Sequence, residues 1–102
     1  MSEKATFGQI EAQWKQWEDR AFPSAASSVE IDGVDLVSVD TFAAGCISVF
    51  VGNRGKLDQE RVDILRKCTH DLDAVLAELQ GESERYFNEL SRLSHAVLEF
   101  MK

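Results

Sequence analysis

Asp32-Gly-Val-Asp-Leu-Val-Ser-Val-Asp-Thr-Phe-Ala-Ala-Gly-Cys-Ile-Ser-Val-Phe-Val-Gly52 is the most apolar stretch of this 102-residue chain, and its reading decides the fold. Leu36, Val39, Ala43, Cys46 and Phe50 recur at steps of three and four, the spacing that keeps side chains on one face of a helix. Asp32 then reads as the N-cap, Asp35 sits in the acid-favouring first turn, and Gly52 supplies a left-handed stop. Ser38, Thr41, Gly45 and Ser48 form a second series, a small-residue face that a neighbouring helix can approach closely. The same stretch also has a strand reading. Val29-Glu30-Ile31 and Val34-Asp35-Leu36 flank Asp32-Gly33, the dipeptide of a type I′ hairpin. Strand alternation breaks at Leu36-Val37 and Ala43-Ala44, whereas the helical series holds for fifteen residues. A helix over 33–51 is therefore the expectation, with a hairpin within 29–51 and an α+β fold as the alternative.

Outward from this stretch the pattern is helical. Thr6-Phe7-Gly8-Gln9 matches the Thr-x-x-Gln capping box. Phe7, Ile10, Trp14, Trp17 and Ala21 follow on one face, and Pro23 with the residue before it ends the helix. Residues 22–32 read as a linker and 1–5 as a frayed end. Beyond the Asn53–Lys56 loop, Asp58 caps a helix whose seam is Leu65, Cys68, Leu72, Val75 and Leu79, and Gly81 ends it. Tyr86, Leu90, Leu93, Val97 and Phe100 carry the last helix. The fold expected is all-α: a single-domain, four-helix up-down bundle with helices at about 6–21, 33–51, 58–80 and 83–101.

Charge narrows the function. The chain carries 11 basic and 18 acidic residues, a net charge of −7. Residues 1–52 hold three bases against eight acids, and no base stands between Arg20 and Arg54. Such a surface repels phosphate backbones and anionic lipid heads, so neither nucleic acid nor membrane is the expected partner. Met1–Ala5 runs into polar helix-forming sequence rather than a positive-then-apolar leader. Two cysteines make no disulfide framework. A cytoplasmic location is the expectation.

Chemistry is hard to find. If helices two and three are antiparallel, Cys46 lies level with about residue 63. Cys68 is then roughly 7 Å further along the axis and roughly 8–10 Å across, beyond disulfide reach. His70 and His95 fall opposite the core seams, and the residues three before them are Lys67 and Arg92, not the Glu of a di-metal bundle. Gly52–Leu57 resembles a phosphate loop only faintly, since Phe50 and Leu57 stand where Gly and Ser or Thr are needed. No cofactor, metal or catalytic group is expected.

Two sets of residues remain as binding candidates. Glu30, Asp32, Asp35 and Asp40 form an acid-only edge suited to steering a basic protein. Trp14 and Trp17 share a face and are candidate anchors, either for the core or for a partner or second copy. In size and charge the chain resembles small acidic helical proteins that neutralise basic toxins, such as bacterial immunity proteins, a likeness of type without a shared motif. The function expected is a non-enzymatic interaction module, an inhibitor or immunity-type partner of a basic protein. The alternative is a homo-oligomeric structural bundle.

Overall fold

The computed structural model describes residues 4–27 and 29–102. Four helices pack on one another as an all-α bundle: α1 (Phe7–Glu18), α2 (Leu36–Gly52), α3 (Gln59–Val75) and α4 (Gly81–Phe100). A two-stranded hairpin, β1 (Glu30–Ile31) and β2 (Val34–Asp35), precedes α2. The fraying expected at the N-terminus falls largely on residues 1–3, outside the described residues. Ala5 is partly buried against the core.

The capping box forms as the sequence predicts. The Gln9 backbone N–H donates to Thr6 Oγ1 at 3.1 Å, and the Thr6 N–H donates to Gln9 Oε1 at 2.9 Å. Two orphan donors at the start of α1 are thereby satisfied, an arrangement worth about 1 kcal/mol. The helix ends at Glu18 rather than near residue 21. Phe22 turns back onto α4, edge-on to Tyr86 at 5.7 Å and to Phe87 at 5.8 Å. Pro23 and Ala26 are buried as well. The segment 22–32, which includes Ser28 outside the described residues, is therefore packed onto the bundle more than a free linker would be.

The opening stretch contains both of its readings in succession. Asp32 at φ 51° and Gly33 at φ 82° make a left-handed two-residue turn that pairs Glu30 with Asp35 and Ile31 with Val34. The helix then starts at Leu36, three residues later than expected. Asp35, not Asp32, is its N-cap: Oδ1 accepts from the Val37 N–H at 3.2 Å and Oδ2 from Ser38 Oγ at 2.9 Å. Both aspartates suit a cap chemically, but Asp32 is committed to the turn.

The far end of α2 also differs. Gly52 is its last residue, and the left-handed conformations fall on Arg54 (φ 59°) and Gly55 (φ 100°). The Gly55 N–H closes the turn on the Phe50 carbonyl at 2.9 Å. Asp58 caps α3 as expected, accepting from the Arg61 N–H. That helix stops at Val75, and a single 3-10 turn (Leu76–Glu78) precedes the left-handed Gly81 at the start of α4. Gly81 therefore opens a helix instead of closing one.

Contacts fix the directions. Phe7 lies against Phe100 and Trp17 against Tyr86, so α1 and α4 are antiparallel. Asp40 reaches Tyr86 and Phe50 reaches Phe100, so α2 runs with α4. Leu36, Ile47, Phe50, Leu65, Leu72, Phe87, Leu90 and Val97 fill the interior. Among the described residues, no helix covers the small-residue face of α2. Thr41, Gly45 and Ser48 are exposed, and a Cβ on Gly45 would meet nothing within 4 Å.

Candidate functional site

The four acids of the sequence edge divide into two groups. Glu30, Asp32 and Asp35 are exposed on the hairpin. Glu30 and Asp35 stand directly opposite each other in the ladder, a like-charge pair that weakens it. Asp32 faces Glu78 from the α3–α4 connection, and its charge holds the Glu78 carboxyl above the ordinary range. Glu78 thus joins the edge from 46 residues away, a placement no sequence spacing announces.

Asp40 does not belong to this surface. It is half-buried and accepts a hydrogen bond from Tyr86 Oη at 2.7 Å. Burial raises its pKa, and the Tyr86 hydrogen bond opposes the rise. On the other side burial, then the bond to Asp40, pushes the Tyr86 hydroxyl up, so it stays a donor. This carboxylate ties α2 to α4.

The tryptophans are interior. Trp14 is 8% exposed and Trp17 5%. Their rings stack at 5.6 Å, and Trp17 Nε1–H donates to the Tyr86 carbonyl at 3.2 Å. They present almost no area to a partner.

The apolar surface lies elsewhere. Phe42 is 58% exposed, Val37 43% and Ile64 36%. Phe42 and Ile64 face each other across a groove of about 440 Å³ between α2 and α3, with Val39 and the buried Cys68 in its lining. That volume suits a few inserted side chains. One end of the groove is apolar. The other meets the hairpin, where Gly33, Asp35 and Asp71 line it. Lys67 sits between these ends, paired with Asp71 at 2.9 Å. The helical series passed over Phe42 because it lies off the seam, between Ser38 and Gly45. The signal available was an aromatic ring flanked by residues too small to cover it.

Comparison with known proteins finds no matching family model, no matching curated protein and no matching solved structure.

The thiol in the groove lining is not activated. Burial pushes the Cys68 thiol up to about 11, so it is protonated at neutral pH. Cys46 is raised by burial too, and its Sγ lies 3.6 Å from the Arg61 carbonyl. Both cysteines are free.

One serine, aspartate and histidine do come together. Ser91 Oγ donates to Asp73 Oδ1 at 2.7 Å, and His95 Nε2 lies 2.8 Å from Asp73 Oδ2. The carboxylate stands in the middle: the serine hydroxyl donates to Asp73 and the imidazole engages the other oxygen of the same carboxylate. A nucleophile–base pair requires the histidine between the two. His70 and His95 are exposed, as their heptad positions imply. Among the described residues no three His, Cys, Asp or Glu side chains are grouped to hold a metal ion, and no helix is long and apolar enough to cross a membrane.

Proposed function

We propose that this chain is a small acidic interaction module that docks a basic protein through the α2–α3 groove and the adjoining hairpin. The observation that carries the reading is that the exposed Phe42 and Ile64 share one groove lining with Asp35 and the hairpin turn at Gly33, next to Asp32, with Lys67 the one base among the described lining residues. Apolar contact supplies affinity and the carboxylates supply steering and partner choice. An inhibitor or immunity-type role, without catalysis, falls within this reading. So does a location in the reducing cytoplasm, which the two free thiols fit. A net charge of −7 argues against nucleic acid and anionic membrane as partners.

A homodimer or larger homo-oligomer is the second reading, favoured only by the uncovered Thr41–Gly45–Ser48 face. Two-fold pairing through the groove would set the acidic hairpins against one another.

The deciding experiment is affinity capture from native extract with wild-type protein and Phe42→Glu, followed by titration of the captured protein at low and high salt. A basic partner held by wild type, lost with the variant and weakened by salt is the expected result. A partner indifferent to both changes would overturn the proposal.

A further inference from the structure

The groove has a length and a polarity that specify the shape of what fills it. Along α3, Ile64 at the apolar end and Asp71 at the acidic end are seven residues apart, about 10 Å at 1.5 Å per residue. Across the groove Phe42 and Asp35 have the same separation in sequence. A helix laid along it returns to the same face after seven residues, so one side chain meets the apolar end and the next meets the acids. An extended segment covers 10 Å in about three residues, and an odd step turns its second side chain away from the groove. Helical spacing fits and strand spacing does not.

Charge orders the ligand. Asp71 is already paired with Lys67, whereas Asp35 accepts from the Val37 N–H and the Ser38 hydroxyl as the cap of α2 and has no ion-pair partner among the described residues. Asp32 and Glu78 repel each other beside it. The Lys67 ammonium is thus held at Asp71 on the α3 wall, and the carboxylates on the hairpin side have no ion-pair partner of their own among the described residues.

Resting on the docking role proposed above, we infer that the occupant is an amphipathic helix of a basic partner, with an apolar anchor against Phe42 and Ile64 and a lysine or arginine seven residues away against Asp35 and Asp32. This is helix-in-groove recognition with the register set by charge.

Selection from a library of random sixteen-residue displayed peptides tests it, using the full chain as bait and Phe42→Glu as counter-bait. Ile64→Glu, on the opposite wall and also exposed, serves as a second counter-bait. Enriched sequences should pair an apolar residue with Lys or Arg seven positions before or after it, without proline between them. A synthetic peptide of that type should bind about tenfold or more tighter than its copy with a central proline. Basic peptides that are proline-rich, or show no seven-residue spacing, would overturn the helical occupant while leaving the basic partner standing. Acidic peptides, or enrichment unchanged by either counter-bait, would overturn both.

Discussion

Tyr86 donates its phenolic hydrogen to Asp40 at 2.7 Å, joining α4 to α2 across 46 residues of sequence. A half-buried carboxylate is tolerable because this donor replaces water. Tyr86→Phe should cost about 1–3 kcal/mol in urea unfolding at neutral pH, since it leaves the charge without its partner. Asp40→Asn keeps an acceptor and removes the charge, so it should be no less stable than wild type. The pH response separates the two. With its folded pKa above 3.8, Asp40 holds its proton in the native state over a window where the unfolded chain has released it. Stability from this group therefore rises as pH falls through the folded pKa towards 3.8 and is lost as pH rises. Wild type should gain on Asp40→Asn between neutral pH and pH about 4. An unchanged difference would show that Asp40 is not desolvated.

The two aspartates of the hairpin should respond in opposite directions. Asp35→Ala removes the α2 cap and should cost about 1 kcal/mol by chemical denaturation. Asp32→Asn installs the preferred Asn-Gly turn and removes the repulsion of Glu78, so it should be neutral or stabilising by a few tenths of a kcal/mol. Equal losses at the two sites would return the cap to Asp32.

Burial separates the aromatic residues. Trp17→Ala opens the core and deletes the Nε1–H bond to Tyr86, and should cost about 3–5 kcal/mol. Phe42→Ala should stay within about 0.5 kcal/mol of wild type, because its ring is largely in solvent. Thermal unfolding of the pair checks this, and a strongly destabilised Phe42→Ala would mean that the ring packs into the fold.

Two glycines make a further contrast. Gly45 lies in the exposed middle of α2 with open space around it, so Gly45→Ala should stabilise by about 0.5–1 kcal/mol. Gly55 sits at φ 100°, where a Cβ would come within 3.1 Å of the Phe100 ring. Gly55→Ala should destabilise by about 1–3 kcal/mol. Melting temperatures that moved the same way would contradict the structure.

Much of the bundle is legible in the sequence because its signals are local. The Thr6–Gln9 box, the Asp58 cap and the heptad seams each depend on residues within a few positions of one another. The hairpin and α2 were legible too, but as rivals; nothing in their spacing says that they follow one another with Asp35 shared between strand and cap. Gly81 is ambiguous in the sequence, because a glycine that ends one helix and one that opens the next look alike. The candidate site was the least legible part. Asp40 reads as surface until Tyr86 is placed beside it, Glu78 joins the edge only through the α3–α4 turn, and Phe42 is ordinary until α3 supplies the opposite wall. All three depend on tertiary placement, which periodicity does not encode.

The ladder pairing of Glu30 with Asp35 gives salt two opposed effects on this molecule. Two-residue strands with carboxylates face to face form a weak unit, the kind that opens locally while the helices stay intact. Added electrolyte screens that repulsion and should slow hydrogen exchange at the Ile31 and Val34 amides. The same electrolyte weakens attraction to a cationic partner. Slower exchange at high ionic strength alongside weaker binding is the expected signature, and exchange that quickens with salt would remove the repulsion argument. A basic helix seated against the hairpin would do what screening does, and so would tighten the turn it rests on.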